Sequence, residues 1–535
     1  MSFRKNDAQQ MTFSDTIFGL TQREQKALKN SWAQVFADEI FPSIDESRFS
    51  VLYSDKASRP NTPVNVIIGA LILKELFDKS DDELVEDILL DPRFQYALHT
   101  TSFEEQPVSD KTFSRFRERC YDYEQLHGVD LYHDCVTDLA AKSAKLMKID
   151  GRIRRMDSLM VEANIRTLSR MELLYRCISK LVCFLHKNGH DDRIASMEHY
   201  YDPDDYNRVI YHSRSTEVQD RLQMLLDDAD KLIRNCGDMF QDDIEYQLLV
   251  RCLAEQTIVD DGKRRMKTKA DEAMTSNVLQ NPSDPDATYR EKAGKKHRGY
   301  VANVEESVGE NGSIVTDYQF ETNNTSDSAM LKTYLENMEE QEDPTILITD
   351  GAYAGEENTR LAAGKNMTLV TTDLPGRDVQ EIFSEFELNK DQTRVLKCPA
   401  GNIPRSASYI RQSGTCTASF ERSICENCPL RDQCRPQFFK RVAKVRVTGK
   451  QVRRASLKKQ MRSEEFKLYA RLRNGVETIP SILKNTYGVN RMNARGKLRC
   501  KFFFGSKVAA LNFRKLFRYQ KGLGHYAQNP LLSTQ

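Results

Sequence analysis

The chain has 535 residues, 39% hydrophobic and 29% charged, which is too long for one ordinary core and implies two to four domains with a polar surface. No apolar run approaches the ~18 residues of a membrane span; the longest near the start is VIIGALIL, and the opening MSFRKNDAQQ has no apolar signal core. The formal net charge of +1 excludes a uniformly basic or acidic protein, but it conceals a basic segment near the C-terminus.

Residues 1–55 read as a partly ordered N-terminal arm. From 56 to 147 the pattern is helical: VIIGALILKELFDKS carries a continuous apolar face, and Ser80-Asp81-Asp82-Glu83 is a capping box opening DELVEDILL. In VSDKTFSRFRERC, Phe113, Phe116 and Cys120 share one helical stripe, with Arg115, Arg117 and Arg119 among the exposed positions. An Arg-rich helix behind a Pro-Val-Ser turn fits the second helix of a helix-turn-helix, with Lys111, Arg115, Arg117 and Arg119 toward DNA. A plain helical bundle with solvated arginines reads nearly as well. A strand, IRRMDSLMV, follows at 153–161 and carries Asp157. Residues 168–275 then form a long helical stretch in which His186 and His190 lie four apart. No Glu follows His186 directly, so a surface pair fits better than a metal pair.

After a turn-rich segment the pattern switches to strands. YVANVEES and SIVTDYQFE, joined by Gly309-Glu-Asn-Gly312, make a hairpin. The helix SDSAMLKTYLENM leads to ILITDGAYAG, then come a short helix ended by Gly364 and the strand in MTLVTTDL. This order predicts a mixed α/β sheet. Ile346, Leu347 and Ile348 show no polar alternation, as in a strand covered on both faces, and the run ends on Asp350 and Gly351. Asp-Gly alone would make a turn, yet a carboxylate at that end of a strand stands where open α/β sheets place their chemistry.

Phosphodiester chemistry with two divalent ions needs carboxylates converging from separate elements. Asp157 and Asp350 would lie side by side if their strands pair parallel. A third acid is expected from a later helix. Glu477 is the candidate, nearly alone among bases, while Glu464 and Glu465 read as solvated surface acids. Arg473 lies four residues before it and Lys484 seven after, so one helical face could present all three, although Pro480 kinks or restarts that helix. From Arg435 to Lys521 there are 25 Lys and Arg against Glu464, Glu465 and Glu477 alone, leaving 54 basic and 75 acidic residues elsewhere. Such asymmetry points to a polyanionic partner, nucleic acid above all.

Twelve cysteines in a chain expected in the cytoplasm are thiols or metal ligands rather than disulfides. Cys425-x-x-Cys428 followed by Cys434 supplies three thiolates, and Cys398, in a Cys-Pro-Ala-Gly turn, is chosen over Cys416 as the fourth ligand of a tetrahedral Zn²⁺. The spacing also fits an iron–sulfur cluster. Cys177, Cys183 and Cys252 fall on apolar helical faces and read as core.

Taken as a set, these motifs resemble the DDE transposases of bacterial insertion sequences. The resemblance spans residues 60–520 and rests on four blocks. They are Asp157-Ser158 with EANIRTLSRMELLY; SDPDATYREKAGKKHRGYVANV; ITDGAYAG with LVTTDL; and Tyr469, Arg473, Glu477 and Lys484 running on into YGVNRMNARG. Three residues separate Tyr469 from Arg473 where the family usually has two. The resemblance implies an RNase-H-like mixed sheet flanked by helices, with a helical N-terminal domain, a helical insertion after the first strand and a small Cys-rich metal-binding insertion. It implies boundaries at 56–147 for the DNA-binding domain, 148–384 and 451–520 for the two parts of the catalytic core, 385–450 for the zinc-ribbon-like insertion and 521–535 for a tail. It implies Asp157, Asp350 and Glu477 as ligands of two Mg²⁺ or Mn²⁺ ions, with Arg473, Lys484, Tyr469, Arg491 and Arg495 supporting them or touching DNA backbone. The implied partners are double-stranded DNA, as terminal inverted repeats and target, and a second copy of the chain. A metal-dependent nuclease without strand transfer, or a catalytically silent DNA-binding relative, would share the fold.

Overall fold

The computed structural model describes residues 1–6, 16–56, 58–100, 108–211, 217–237, 239–268, 270–271, 275–292, 294–372, 378–475 and 478–523. They form two compact units, each containing helices and part of a mixed sheet.

The first unit holds Met1–Asp150, Ser158–Met330 and the chain from Thr478. The helix Val64–Phe77 is buried at every position from Val64 to Leu73, so it is an apolar core rod rather than an amphipathic surface helix. Its N-terminus begins after Pro63, which offers no capping side chain. Glu46 does so instead, accepting the amide of Val64 at 3.1 Å. The segment read as an arm therefore belongs to the core: Phe36, Phe41 and Phe49 are fully buried in it. The capping box of the next helix, Asp81–Leu90, forms with both bonds in place, Glu83 N to Ser80 at 3.1 Å and Ser80 N to Glu83 at 2.7 Å.

The C-terminal helix Lys497–Gln520 packs on Val64–Phe77, on Leu131–Leu146 and on the strand Gly312–Thr322. Tyr132 stacks on Phe502 with ring centres 3.8 Å apart, and its hydroxyl meets Ser506 at 2.8 Å. The hairpin Lys295–Gly309 and Gly312–Thr322 forms in the expected register, Gly309 opposite Gly312, with one extra residue, Thr316, where the pairing slips. Beside that bulge, Asn512 exchanges two hydrogen bonds with the backbone of Val315, at 3.0 and 2.7 Å. Lys295–Gly309 also pairs with Thr288–Lys292 and with the second half of Ile153–Glu162. There Gly299 adopts φ +145°, and a side chain at 299 would run into the Val161 carbonyl.

Three helices, Arg170–Lys187, Val218–Cys236 and Ile244–Gln256, enclose a separate cluster around Ile178, Leu225 and Leu249. The helical pattern does not run on to 275. At Thr257 it gives way to a hairpin, Thr257–Asp260 with Lys263–Met266, turning through Asp261 and Gly262 at positive φ. His186 bonds Asp191 at 2.7 Å and stacks on Tyr201, while His190 packs on Phe240, so the two histidines serve separate surface contacts. Cys177 and Cys252 are core, but Cys183 is exposed.

The second unit holds Gly151–Asp157 and the chain from Leu331. Thr345–Thr349 runs parallel both to the first half of Ile153–Glu162 and to Met367–Thr371. Met156, Leu335, Leu347, Tyr353 and Met367 form its core. Further on, an antiparallel sheet takes the order Ser406–Ile410, Thr415–Glu421, Val442–Thr448, Gln437–Phe438, with its own cluster around Phe420, Val445 and Val447. Two helices follow, Gly449–Gln460 and Glu464–Asn474. No helix among the described residues is long and apolar enough to cross a membrane.

Candidate active site

Strand register decides whether the two aspartates meet. Ile153 pairs with Ile346, Arg154 with Leu347 and Arg155 with Ile348, an offset of 193 residues. The same offset takes Asp157 to Asp350. The pairing itself ends at Arg155 and Ile348; carried two residues further, the offset would set the two acids level on the same side of the sheet, at a strand spacing of about 5 Å. Both are partly accessible, in contrast to Met156 and Ile348 behind them.

Asp350 is the first residue beyond its strand. It caps the short turn Gly351–Tyr353, its Oδ1 accepting the amide of Ala352 at 2.8 Å. The Asp-Gly turn is therefore real. Arg473, in the last turn of Glu464–Asn474, brings Nη2 to 3.8 Å from Oδ2 of Asp350. The third candidate acid, Glu477, lies outside the described residues. The competing acids both have local partners: Glu464 pairs with Lys467 at 2.6 Å, and Glu465 accepts the Tyr469 hydroxyl at 2.7 Å. Burial and the Glu465 carboxylate push Tyr469 up to about 12.

Of the remaining supporting residues, Lys484 is half-buried on the helix Thr478–Asn485 in the first unit, and Arg495 donates to the Asn164 carbonyl at 2.8 Å. Arg491 ends a short 3-10 turn, and its side chain lies outside what is described. The proposed DNA-facing helix spans Asp110–His127, 18 residues, longer than its sequence pattern implied. Phe113, Phe116 and Cys120 are buried as the stripe requires, and Lys111 and Arg115 are exposed. Arg117 is a correction to the expected exposed face. It is 8% exposed and pairs with Asp81, which also meets Lys74 at 2.6 Å. Arg119 is half-buried, with its guanidinium 4.8 Å from the Tyr53 ring.

Four cysteines come together around one small pocket: Cys398, Cys425, Cys428 and Cys434, with Phe386 and Phe420 behind them. The Cys398 turn closes through the Gly401 amide at 2.8 Å, and Asn402 donates to the Cys398 sulfur at 3.7 Å. Cys416 is elsewhere, fully buried on Thr415–Glu421, its thiol donating to the Gln392 carbonyl at 3.2 Å. Burial and the neighbouring thiols push Cys434 up to about 11. Among the described residues, no group of three or more His, Cys, Asp or Glu is set as a ready metal cage.

Sequence reasoning missed how much of the basic segment is paired within the protein. Arg453 meets Glu356 at 2.8 Å, Lys458 meets Asp378 at 2.6 Å, Lys459 meets Glu385 at 3.2 Å and Arg462 meets Glu381 at 2.6 Å. The only signal was a complementary one, the acidic excess of the rest of the chain.

Two family models match the chain. One, described as Transposase DDE domain, covers residues 397–517 and so takes in the four cysteines and the Tyr469 to Arg495 block. The other, described as Transposase domain (DUF772), covers residues 22–119, which carries it well into the segment read as an arm. No curated protein and no solved structure matches the chain.

Proposed function

Since the chain belongs to the DDE transposases of insertion sequences, we propose that it cuts DNA at the ends of its own element and joins the exposed 3′-OH to target DNA. The observation that carries this reading is the parallel pairing of the strands that lead into Asp157 and Asp350, whose register carried two residues on would set the acids level, with Arg473 beside Asp350. Asp157, Asp350 and Glu477 would hold two Mg²⁺ or Mn²⁺ ions, which when bound polarise a phosphodiester and activate the attacking oxygen. The donor set fits hard, oxygen-seeking cations. Arg473 would steady the Asp350 carboxylate and offset phosphate charge, and the turn after Asp350 keeps the approach open. An RNase-H-like core suits the strand pattern, an antiparallel hairpin next to Ile153–Glu162 and two parallel strands beyond it. The helical domain with Lys111 and Arg115 would bind terminal inverted repeats, and two copies of the chain would hold the two ends together.

The thiols of Cys398, Cys425, Cys428 and Cys434 suit a structural Zn²⁺, and the Asn402 amide beside Cys398 is the kind of donor that supports a thiolate. Metal analysis of the purified protein separates zinc from an iron–sulfur cluster by content and colour.

The test of the activity uses purified protein, Mg²⁺ and a plasmid carrying the DNA that flanks the coding sequence. Cutting at defined ends is expected from the native chain, with a loss of at least about 10³-fold in Asp350→Ala and Asp157→Ala and retained DNA binding. Cutting without strand transfer would leave a nuclease. End binding with no cutting in Mg²⁺ or Mn²⁺ would leave a DNA-binding relative.

A further inference from the structure

Arg155 stands two residues before Asp157 on the same strand, on the same side of the sheet, and the reaction above gives it no task. It is 8% exposed, and its Nη1 donates to the carbonyl of Leu472 at 2.7 Å. Leu472 lies in the last turn of Glu464–Asn474, where carbonyls lack the i+4 amide of a continuing helix, and its carbonyl also takes the Gly475 amide. A guanidinium there adds a second donor and sets a positive charge at the negative end of the helix dipole.

The residue that ends this helix is fitted to that guanidinium. Gly475 has φ −65° and ψ −22°, a conformation open to every residue, so backbone geometry does not require glycine. Space does. A Cβ at 475 would overlap Nη1 of Arg155 and stand 3.3 Å from its Cζ. From the same turn Arg473 reaches 3.8 Å from Asp350.

We propose that Arg155 is a positioning residue. It locks the C-terminal end of Glu464–Asn474 to the Asp157 strand, Gly475 provides the gap it occupies, and together they fix the turn from which Arg473 reaches Asp350. The proposal rests on the reading of Asp157, Asp350 and Glu477 as the acting acids.

The test compares the full-length native chain with Arg155→Lys, Arg155→Met, Gly475→Ala and the double variant Arg155→Met/Gly475→Ala. Three quantities are measured: binding to element ends, Mn²⁺ binding by electron paramagnetic resonance without DNA, and single-turnover cutting. End binding is expected to stay at the native level. Arg155→Met should weaken Mn²⁺ binding about tenfold and slow cutting about 10²-fold, the scale of lost metal-site support and of a 1 Å misplacement. Arg155→Lys should recover part of the rate. Gly475→Ala should slow cutting comparably in the native background and add little to Arg155→Met, because the group it displaces is already gone. A merely structural role predicts losses that multiply in the double variant. That result, or native cutting by Arg155→Met, overturns the proposal. If Arg155→Met does not fold, Gly475→Ala and Arg155→Lys carry the same comparison, and native rates in both overturn it. A native chain that neither binds Mn²⁺ nor cuts DNA overturns the active-site reading itself, which the variants alone cannot do.

Discussion

Single residues divide into those whose surroundings are local and those set by distant chain. Phe113, Phe116 and Cys120 were legible because one helix turn places them together. Arg117, in the same run, was not, because its partner Asp81 comes from another helix. Burial opposes the charge on Asp81, but Arg117 and Lys74 hold its carboxyl below the usual range. Arg117→Ala should therefore destabilise the protein by about 1.5–3 kcal/mol through a half-buried carboxylate left short of a partner. Arg115→Ala should leave the melting temperature alone. His133 gives a pH signature. Burial opposes its charge, but the carboxylates of Asp134 and Asp317 beside it outweigh this and push it up to about 10. A raised pKa stabilises the folded state fully below the unfolded value near 6.5, and the gain is lost as pH rises through about 10. Native protein should thus lose about 1–2 kcal/mol more than His133→Gln between pH 7 and 10 in urea titrations, a modest figure because the imidazole is partly screened by solvent.

At the scale of elements, local chemistry spoke clearly and long-range assembly did not. The Ser80–Glu83 capping box, the Gly309–Gly312 hairpin and the Asp350 strand end all formed as their residues require. The hairpin at Thr257–Met266 was hidden because a helical pattern precedes it and its four-residue strands are too short to show a period; Asp261-Gly262 was the available signal. The Cys-rich sheet was hidden for another reason. Its strands do bury one face, with Cys416, Ala418 and Phe420 on one and Ala443, Val445 and Val447 on the next, but small residues such as Ala418 and Ala443 weaken the apolar alternation. The cysteines themselves were legible, and geometry separates Cys398 from Cys416. Cys398→Ser should lower bound zinc and make the Cys-rich segment sensitive to protease, as chelation would. Cys416→Ser should keep its metal. Equal zinc loss in both variants would show that the pocket around Cys398 is not the binding site.

For the whole molecule, the largest sequence feature was the charge divide, and it has two physical sources. At least ten of the 25 bases between Arg435 and Lys521 form ion pairs within the described residues, among them Lys497 with Glu321, Lys501 with Glu124 and Asp130, and Lys515 with Glu306. Part of the divide is thus internal neutralisation of the acidic body. Exposed bases such as Arg441, Arg446, Lys450 and Arg471 stand where they can meet phosphates. Each phosphate neutralised contributes about −0.9 to the slope of log affinity against log salt. All 25 bases acting together would give roughly −22, whereas a set limited to the remaining fifteen cannot exceed roughly −13. A slope shallower than that is expected for element-end DNA between 50 and 300 mM salt. Lys450→Ala should reduce its magnitude by about one. Lys515→Met should leave the slope unchanged and instead cost about 3–5 kcal/mol of stability, because Glu306 is fully buried and would lose its cation. A native slope steeper than the limit would mean that internal pairs open when DNA binds, and Lys467, Arg453 and Lys458, whose partners Glu464, Glu356 and Asp378 are the most accessible of these, would be the first to exchange a carboxylate for a phosphate.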